Sequence, residues 1–246
     1  PRGNAKSTLV TVTATLRAAV EGREPYTLIV SDTESQAIEH LNCIKHELVA
    51  NVYGLLDDYD AASGEGPVWR ESYVRLRNGC VVHAVGTGSR IRGRRIRQMR
   101  PSFVILDDPE NDEHISSTTR RNRTRSWFER TVMSLGDDRT NIIALGTAIH
   151  RDSLVMNLCR RPGWWTRRVD GKITPFRAIE TWPRRMDLWD AWERTYNDPD
   201  NPRAEELADK FYASHRREMG LGAVLNWPEL EDLESLMKLR AQAGRA

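Results

Sequence analysis

Cysteine is scarce in this chain, and its three copies, Cys43, Cys80 and Cys159, lie far apart without metal-ligand spacing. That scarcity speaks against a thiolate metal site and for a reducing compartment. Long apolar segments are missing as well, as are a signal peptide and a lipidation motif, so a soluble protein with no membrane partner is expected. Charge of one sign is also lacking, because the net charge over 246 residues is only +2. No global field therefore forces a nucleic-acid partner. Charge is concentrated locally instead: six arginines fall within Ser89–Arg100 and five within Arg120–Arg130. Such blocks suit phosphates or the acidic surface of a partner, and they suit a solvated face equally well. The length allows one large or two small domains with a substantial core.

The most informative stretch is Phe103–Glu110, FVILDDPE, where an unbroken apolar run leads into two adjacent carboxylates. Such a run suits a strand buried on both faces of a parallel sheet. Asp107 and Asp108 then emerge at the strand's carboxyl end, where open parallel sheets bind ligands and where a cation and a water could be held. A turn before Pro109 is the plainer explanation of the same pair. Two further runs, Tyr26–Ser31 (YTLIVS) and Asn141–Leu145 (NIIAL), end in Asp32-Thr33 and Gly146-Thr147. With helices between them, all three read as buried strands of one parallel sheet whose chemistry shares one edge.

The chain opens on PRGNAKSTL, a glycine-containing loop ending in Lys6 and Ser7, with Leu9, Val12, Leu16 and Ala19 following at helical spacing. A phosphate-binding loop needs converging backbone N–H groups, a lysine for the β/γ oxygens and a hydroxyl for the metal. Gly3, Lys6 and Ser7 supply these, and Ser7 and Thr8 sit at a helix N-terminus, which favours an anion. Ala5 stands where a second glycine is usual, a mild departure provided φ there stays negative. Loop, aspartate strand and Gly-Thr strand together describe an α/β P-loop NTPase of the ASCE type, with a mainly parallel central sheet flanked by helices and an extra strand between its nucleotide motifs.

Elsewhere, Asp32 or Thr33 is expected to cap a helix with the stripe Ala37, Leu41, Ile44 and Leu48. Asp57–Trp69 reads as loop. Asn78-Gly79 between Ser72–Arg77 and Cys80–Val85 predicts a hairpin with a type I′ turn. Ser116 and Ser117 are candidate caps of a long helix through about Leu135. Lone His150 reads as a structural donor. From Trp164 the chain is rich in tryptophan, a sign of packing more than of base stacking. Leu207, Phe211 and Met219 mark a helix ending at Gly220, and Leu233, Leu236 and Met237 mark a last one. The expected division is a core over 1–163 and a small helical lid or linker over 164–246.

Taken together, PRGNAKST, GTGSRIRGRRIRQMRPSFVILDDPENDEH, SWFERTV, LGTAIHRDSL and LNWPELEDLESLMKLRAQAG resemble the ATPase portion of the tailed-phage terminase large subunit. The resemblance implies an ATP-hydrolysing motor that threads double-stranded DNA into a procapsid in the cytoplasm of an infected bacterium. Its partners would be a portal protein, a small terminase subunit and copies of itself in a pentameric ring. It also implies a first strand ahead of Pro1 and a carboxyl-terminal nuclease domain, neither of them in this chain. By matching motifs, Arg2, Gly3, Asn4, Ala5, Lys6, Ser7 and Thr8 would bind ATP, and Ser7 and Asp107 would hold Mg²⁺. Arg2 would stabilise charge on the γ-phosphate. The slot after the metal aspartate usually carries a catalytic glutamate. Here it is Asp108, so water activation falls to Asp108 or, across the turn at Pro109, to Glu110. Gly146 and Thr147 match a coupling motif, while Arg92, Arg94, Arg95, Arg120 and Arg121 are candidates for contact with DNA or a neighbouring subunit. A helicase-like translocase and a non-hydrolysing nucleic-acid-binding module are the rival expectations.

Overall fold

The computed structural model describes residues 5–52, 54–59, 65–91, 99–174 and 176–243. It divides into two units, one running to Thr166 and the other starting at Arg167.

The first unit is built on a six-stranded sheet in the order β2-β3-β4-β1-β5-β6. Its strands are β1 (Tyr26–Ser31), β2 (Val68–Trp69), β3 (Tyr73–Arg75), β4 (Val81–Gly86), β5 (Phe103–Asp107) and β6 (Asn141–Leu145). Strands β4, β1, β5 and β6 run parallel, with Ile29 opposite Ala84 on one side and Ile105 on the other. Successive side chains of a strand point to opposite faces, and both faces of β1 are covered. Ile29, Val82 and Ala84 pack with Ala19, Ala37, Leu41, Ile44 and Leu48 of helices α1 (Thr15–Val20) and α2 (Glu34–Ala50). Leu28, Val30, Val104 and Leu106 pack with Phe128 of α5 (Thr118–Arg130) and Leu154 and Leu158 of α6 (Leu154–Arg160). Two-sided burial is why these strands read as unbroken apolar runs. The architecture is therefore α/β, with a mainly parallel sheet between helices.

Several local expectations change. Among the described residues Asn141–Leu145 is an edge strand, β2 being the other. It pairs with β5 on one side, and Ile143 is 36% exposed; an apolar run alone does not distinguish a central strand from an edge. The Asn78-Gly79 hairpin forms, but only Gly79 has positive φ, at +91°. The N–H of Gly79 donates to Leu76 O and that of Leu76 to Cys80 O. This is a three-residue loop, a type I turn closed by a glycine bulge, rather than type I′, which needs positive φ at both central residues. The 57–69 loop contains the end of α3 (Leu55–Asp58) and β2. The long helix after Ser117 stops at Arg130 and continues as a 3₁₀ turn, Val132–Ser134, beyond Thr131. Ahead of it lies a short helix, α4 (Asp112–Ser116). Thr33 rather than Asp32 caps α2, accepting from Gln36 N at 3.2 Å.

The opening helix departs most. Ser7–Ala14 is π-helical, with more residues per turn than an α-helix because its hydrogen bonds run five residues back. Residues four apart therefore align better than the 3.6-residue stripe assumes. Thr11 and Thr15 are buried, whereas Leu9 is 65% exposed. Thr13 Oγ1 also donates five residues back, to Thr8 O, at 2.8 Å.

The second unit consists of β7 (Arg168–Val169), β8 (Lys172–Ile173), β9 (Ile179–Thr181), α7 (Met186–Tyr196), α8 (Ala204–Met219), β10 (Val224–Leu225) and α9 (Leu233–Ala243). It has its own core of Ile179, Trp189, Trp192, Ala208, Met219, Met237 and Ala241. Trp189 and Trp192 meet edge-on with centroids 5.5 Å apart, and the Trp189 indole N–H donates to Met219 O at 2.8 Å. Both rings are packing elements. Among the described residues no helix is long and apolar enough to cross a membrane.

Candidate functional site

Polar side chains collect where β1, β5 and β6 end. Asp107, the last residue of β5, is 1% exposed, and both its carboxylate oxygens are engaged. Ser7 Oγ donates to Oδ1 at 3.0 Å and Thr11 Oγ1 to Oδ2 at 2.6 Å. One π-helical turn separates these two donors, so they reach the same carboxylate. From α2, His40 Nε2 lies 3.3 Å from Oδ2. Lys6, just ahead of Ser7, places Nζ 3.4 Å from Thr147 Oγ1 at the end of β6. Residues a hundred positions apart thus meet in one cluster.

Asp108 follows in a left-handed conformation, φ +43°, which aspartate tolerates better than most residues. Its N–H donates to Leu145 O at 3.1 Å, and its Oδ1 accepts from Thr147 N at 3.0 Å. The ends of β5 and β6 are therefore laced through Asp108. Gly146 lies within this lacing, where an added Cβ would meet Val155 Cγ2 at 2.8 Å and Asp108 Oδ1 at 3.5 Å. Glu110 is buried, and its Oε2 accepts from Leu154 N at 2.5 Å. A carboxylate at the first turn of α6 is stabilised by the free N–H groups there, which gives Glu110 an anchoring role. Asp108, Glu110, Gly146 and Thr147 also line a cavity of about 10 Å³, room for a single water.

The flanking loops are tied in. Thr87 Oγ1 bonds to Ser31 O at 3.2 Å and Pro109 O at 2.9 Å. Asn111 Nδ2 donates to Asp32 Oδ2 at 2.8 Å.

Ala5 has φ +50°, so the negative φ that would have made its methyl group harmless is not adopted. Alanine there bears a strain that glycine would not. Thr8 is exposed. Arg120 and Arg121 are engaged locally: Arg120 pairs with Glu113, while Arg121 donates to Ile115 O and, at 2.9 Å, to Thr118 Oγ1. His150 accepts, through Nδ1, from Asp152 N at 3.0 Å. Arg2, Gly3, Asn4, Arg92, Arg94 and Arg95 lie outside the described residues.

No protein-family model matches the chain, and no curated protein matches it significantly.

The chemistry of the site thus rests on its geometry. Ser7 Oγ and Asp107 Oδ1 are hard oxygen donors 3.0 Å apart. Among the described residues, no group of three or more His, Cys, Asp or Glu side chains is placed to hold a metal. A hydroxyl and a carboxylate so placed would suit Mg²⁺, which protein commonly holds by one or two oxygens and shares with phosphates and water. Sequence reasoning missed Thr11 and His40. Thr11 is one turn from Ser7, and His40 interrupts the apolar stripe of α2 between Ala37 and Ile44, the signal that could have revealed it.

Proposed function

We propose that the first unit is a P-loop ATPase of the ASCE type, binding Mg²⁺ and ATP, and that it serves as the motor of viral DNA packaging. The observation that carries the nucleotide reading is the meeting of Lys6 and Ser7 with Thr147 and Asp107. In this reading Lys6 releases Thr147 and takes β/γ-phosphate oxygens, and the N–H groups from Ala5 onward contribute to the anion cradle. The sign of φ alternates there, +50° at Ala5 and −53° at Lys6, a backbone device that lets successive N–H groups converge on an anion.

Ser7 and Asp107 would hold the metal, which would supply charge to offset that developing on the phosphate. In this reading Asp108 orients the attacking water, which its place at the strand end beside the cavity supports. Glu110 is the alternative; its Oε2 accepts from Leu154 N, as Oδ1 of Asp108 does from Thr147 N. Thr147, touched by Lys6 through its hydroxyl and by Asp108 through its N–H, would register loss of the γ-phosphate in this reading. The packaging assignment, with duplex DNA, a portal, a small terminase subunit and a homo-oligomeric ring as partners, rests on the motif resemblance alone. The second unit would be the lid or linker toward a nuclease domain. The test is Mg²⁺-dependent ATP hydrolysis with and without duplex DNA. Turnover stimulated by duplex supports the motor, unstimulated turnover removes the DNA role, and no turnover in a folded protein favours the binding module.

A further inference from the structure

Asp107 is surrounded unevenly. Among the described residues Oδ1 has one hydrogen-bond partner, Ser7, which the proposed function makes a metal ligand. Oδ2 faces two groups, Thr11 Oγ1 at 2.6 Å and His40 Nε2 at 3.3 Å. His40 stands on α2, the helix packed beside β1 and β4, and its side chain is 17% exposed. Its Nε2 is buried at ion-pair distance from Oδ2 but off the hydrogen-bond line, and among the described residues it has no other partner. A buried ring nitrogen without a bond is costly, and at 3.3 Å the Asp107 carboxylate is the acceptor within its reach. Groups behind a ligating carboxylate fix which of its oxygens faces the metal.

We infer that His40 is a positioning residue for the proposed metal site: together with Thr11 it holds Oδ2 of Asp107, so that Oδ1, beside Ser7, is the oxygen presented to a divalent cation. This rests on the ATPase reading of the same site. His40 touches neither cation nor nucleotide. Its removal loosens the carboxylate and weakens the cation without altering how the loop grips phosphate.

The full chain, as wild type and as His40→Ala, His40→Gln and His40→Phe, is titrated with Mg²⁺ in the presence of a fluorescent N-methylanthraniloyl ATP analogue, and separately with the analogue in EDTA. Circular dichroism verifies folding. His40→Ala is expected to raise the half-saturating Mg²⁺ about tenfold, the low end for loss of an outer-shell group, with binding in EDTA unchanged. His40→Gln, whose amide N–H reaches a similar point, should recover most of the loss. His40→Phe keeps a ring but no nitrogen; it should behave like His40→Ala and replaces it if the alanine variant does not fold. Wild-type Mg²⁺ dependence in a folded Ala or Phe variant overturns the inference while leaving the ATPase reading intact. Failure of the wild-type chain to bind the analogue with Mg²⁺ overturns both.

Discussion

The two units handle polar groups in opposite ways. In the first, Thr11, Thr15, Thr27, Ser31, His83, Asp107, Glu110, Thr124, Thr131 and Ser153 are buried, whereas among the described residues the second buries only apolar and aromatic side chains. Its charges pair at the surface, as in Arg185 with Asp187 and Glu218, Arg203 with Glu206, and Lys210 with Glu206. Burying a hydroxyl or carboxylate costs free energy unless it is bonded, and surface ion pairs contribute little. Of these groups Ser31 and Asp107 close β1 and β5, and Glu110 follows the second, which is where the proposed site lies.

The contrast can be broken or sharpened by substitution. The largest effect is expected from Lys6→Ala, which should lower Mg²⁺-dependent ATP hydrolysis by about 100- to 1000-fold, the range for removing one preorganised charge-stabilising donor; steady-state phosphate release checks this. In the second unit Trp189→Ala should cost about 3–5 kcal/mol of stability through its cavity, measured by denaturant unfolding. Gly146→Ala should destabilise the first unit by about 1–3 kcal/mol through overpacking. Adding Val155→Ala should recover most of that if the 2.8 Å contact is the cause. Ala5→Gly should stabilise by up to about 1 kcal/mol, by relieving the left-handed strain, visible as a small rise in Tm.

The smallest effect is Glu206→Gln. Arg203 first, and then Lys210, hold the Glu206 carboxyl down to about 2 from its ordinary 4.5. A depressed carboxylate contributes stability that is present above pH 4.5 and lost as pH falls toward 2. Glu206→Gln should therefore flatten acid unfolding slightly in that window, and, both partners being exposed, only slightly.

Much of this fold is legible in residue order because two-sided burial writes itself as apolar runs. FVILD and YTLIVS became central strands, and Ala37, Leu41, Ile44 and Leu48 became the buried face of α2. Pairing is less legible: NIIAL looks as buried as the others, yet lies at an edge. Helical phase held for Val12, Leu16 and Ala19, which pack into the core, and failed at Leu9, in the segment where the helix widens. In the site, Lys6, Ser7, Asp107 and Thr147 were readable from their chemistry at loop and strand ends. Thr11 and His40 were not, since their role depends on how two helices cross the end of β5. Glu110 carries one sign in sequence, an acid near a strand end, and its bond to α6 shows only in three dimensions.

The central claim is that Ser7 and Asp107 act on one metal, and a double-mutant cycle tests it most directly. Mg²⁺-dependent binding of the fluorescent ATP analogue is measured for wild type, Ser7→Ala, Asp107→Asn and the double variant. If both side chains serve one cation, each single change should remove most of the Mg²⁺ dependence and the double change should add little further, a strong departure from additivity. Independent, additive losses, or Mg²⁺-dependent binding that survives both changes, would contradict the account.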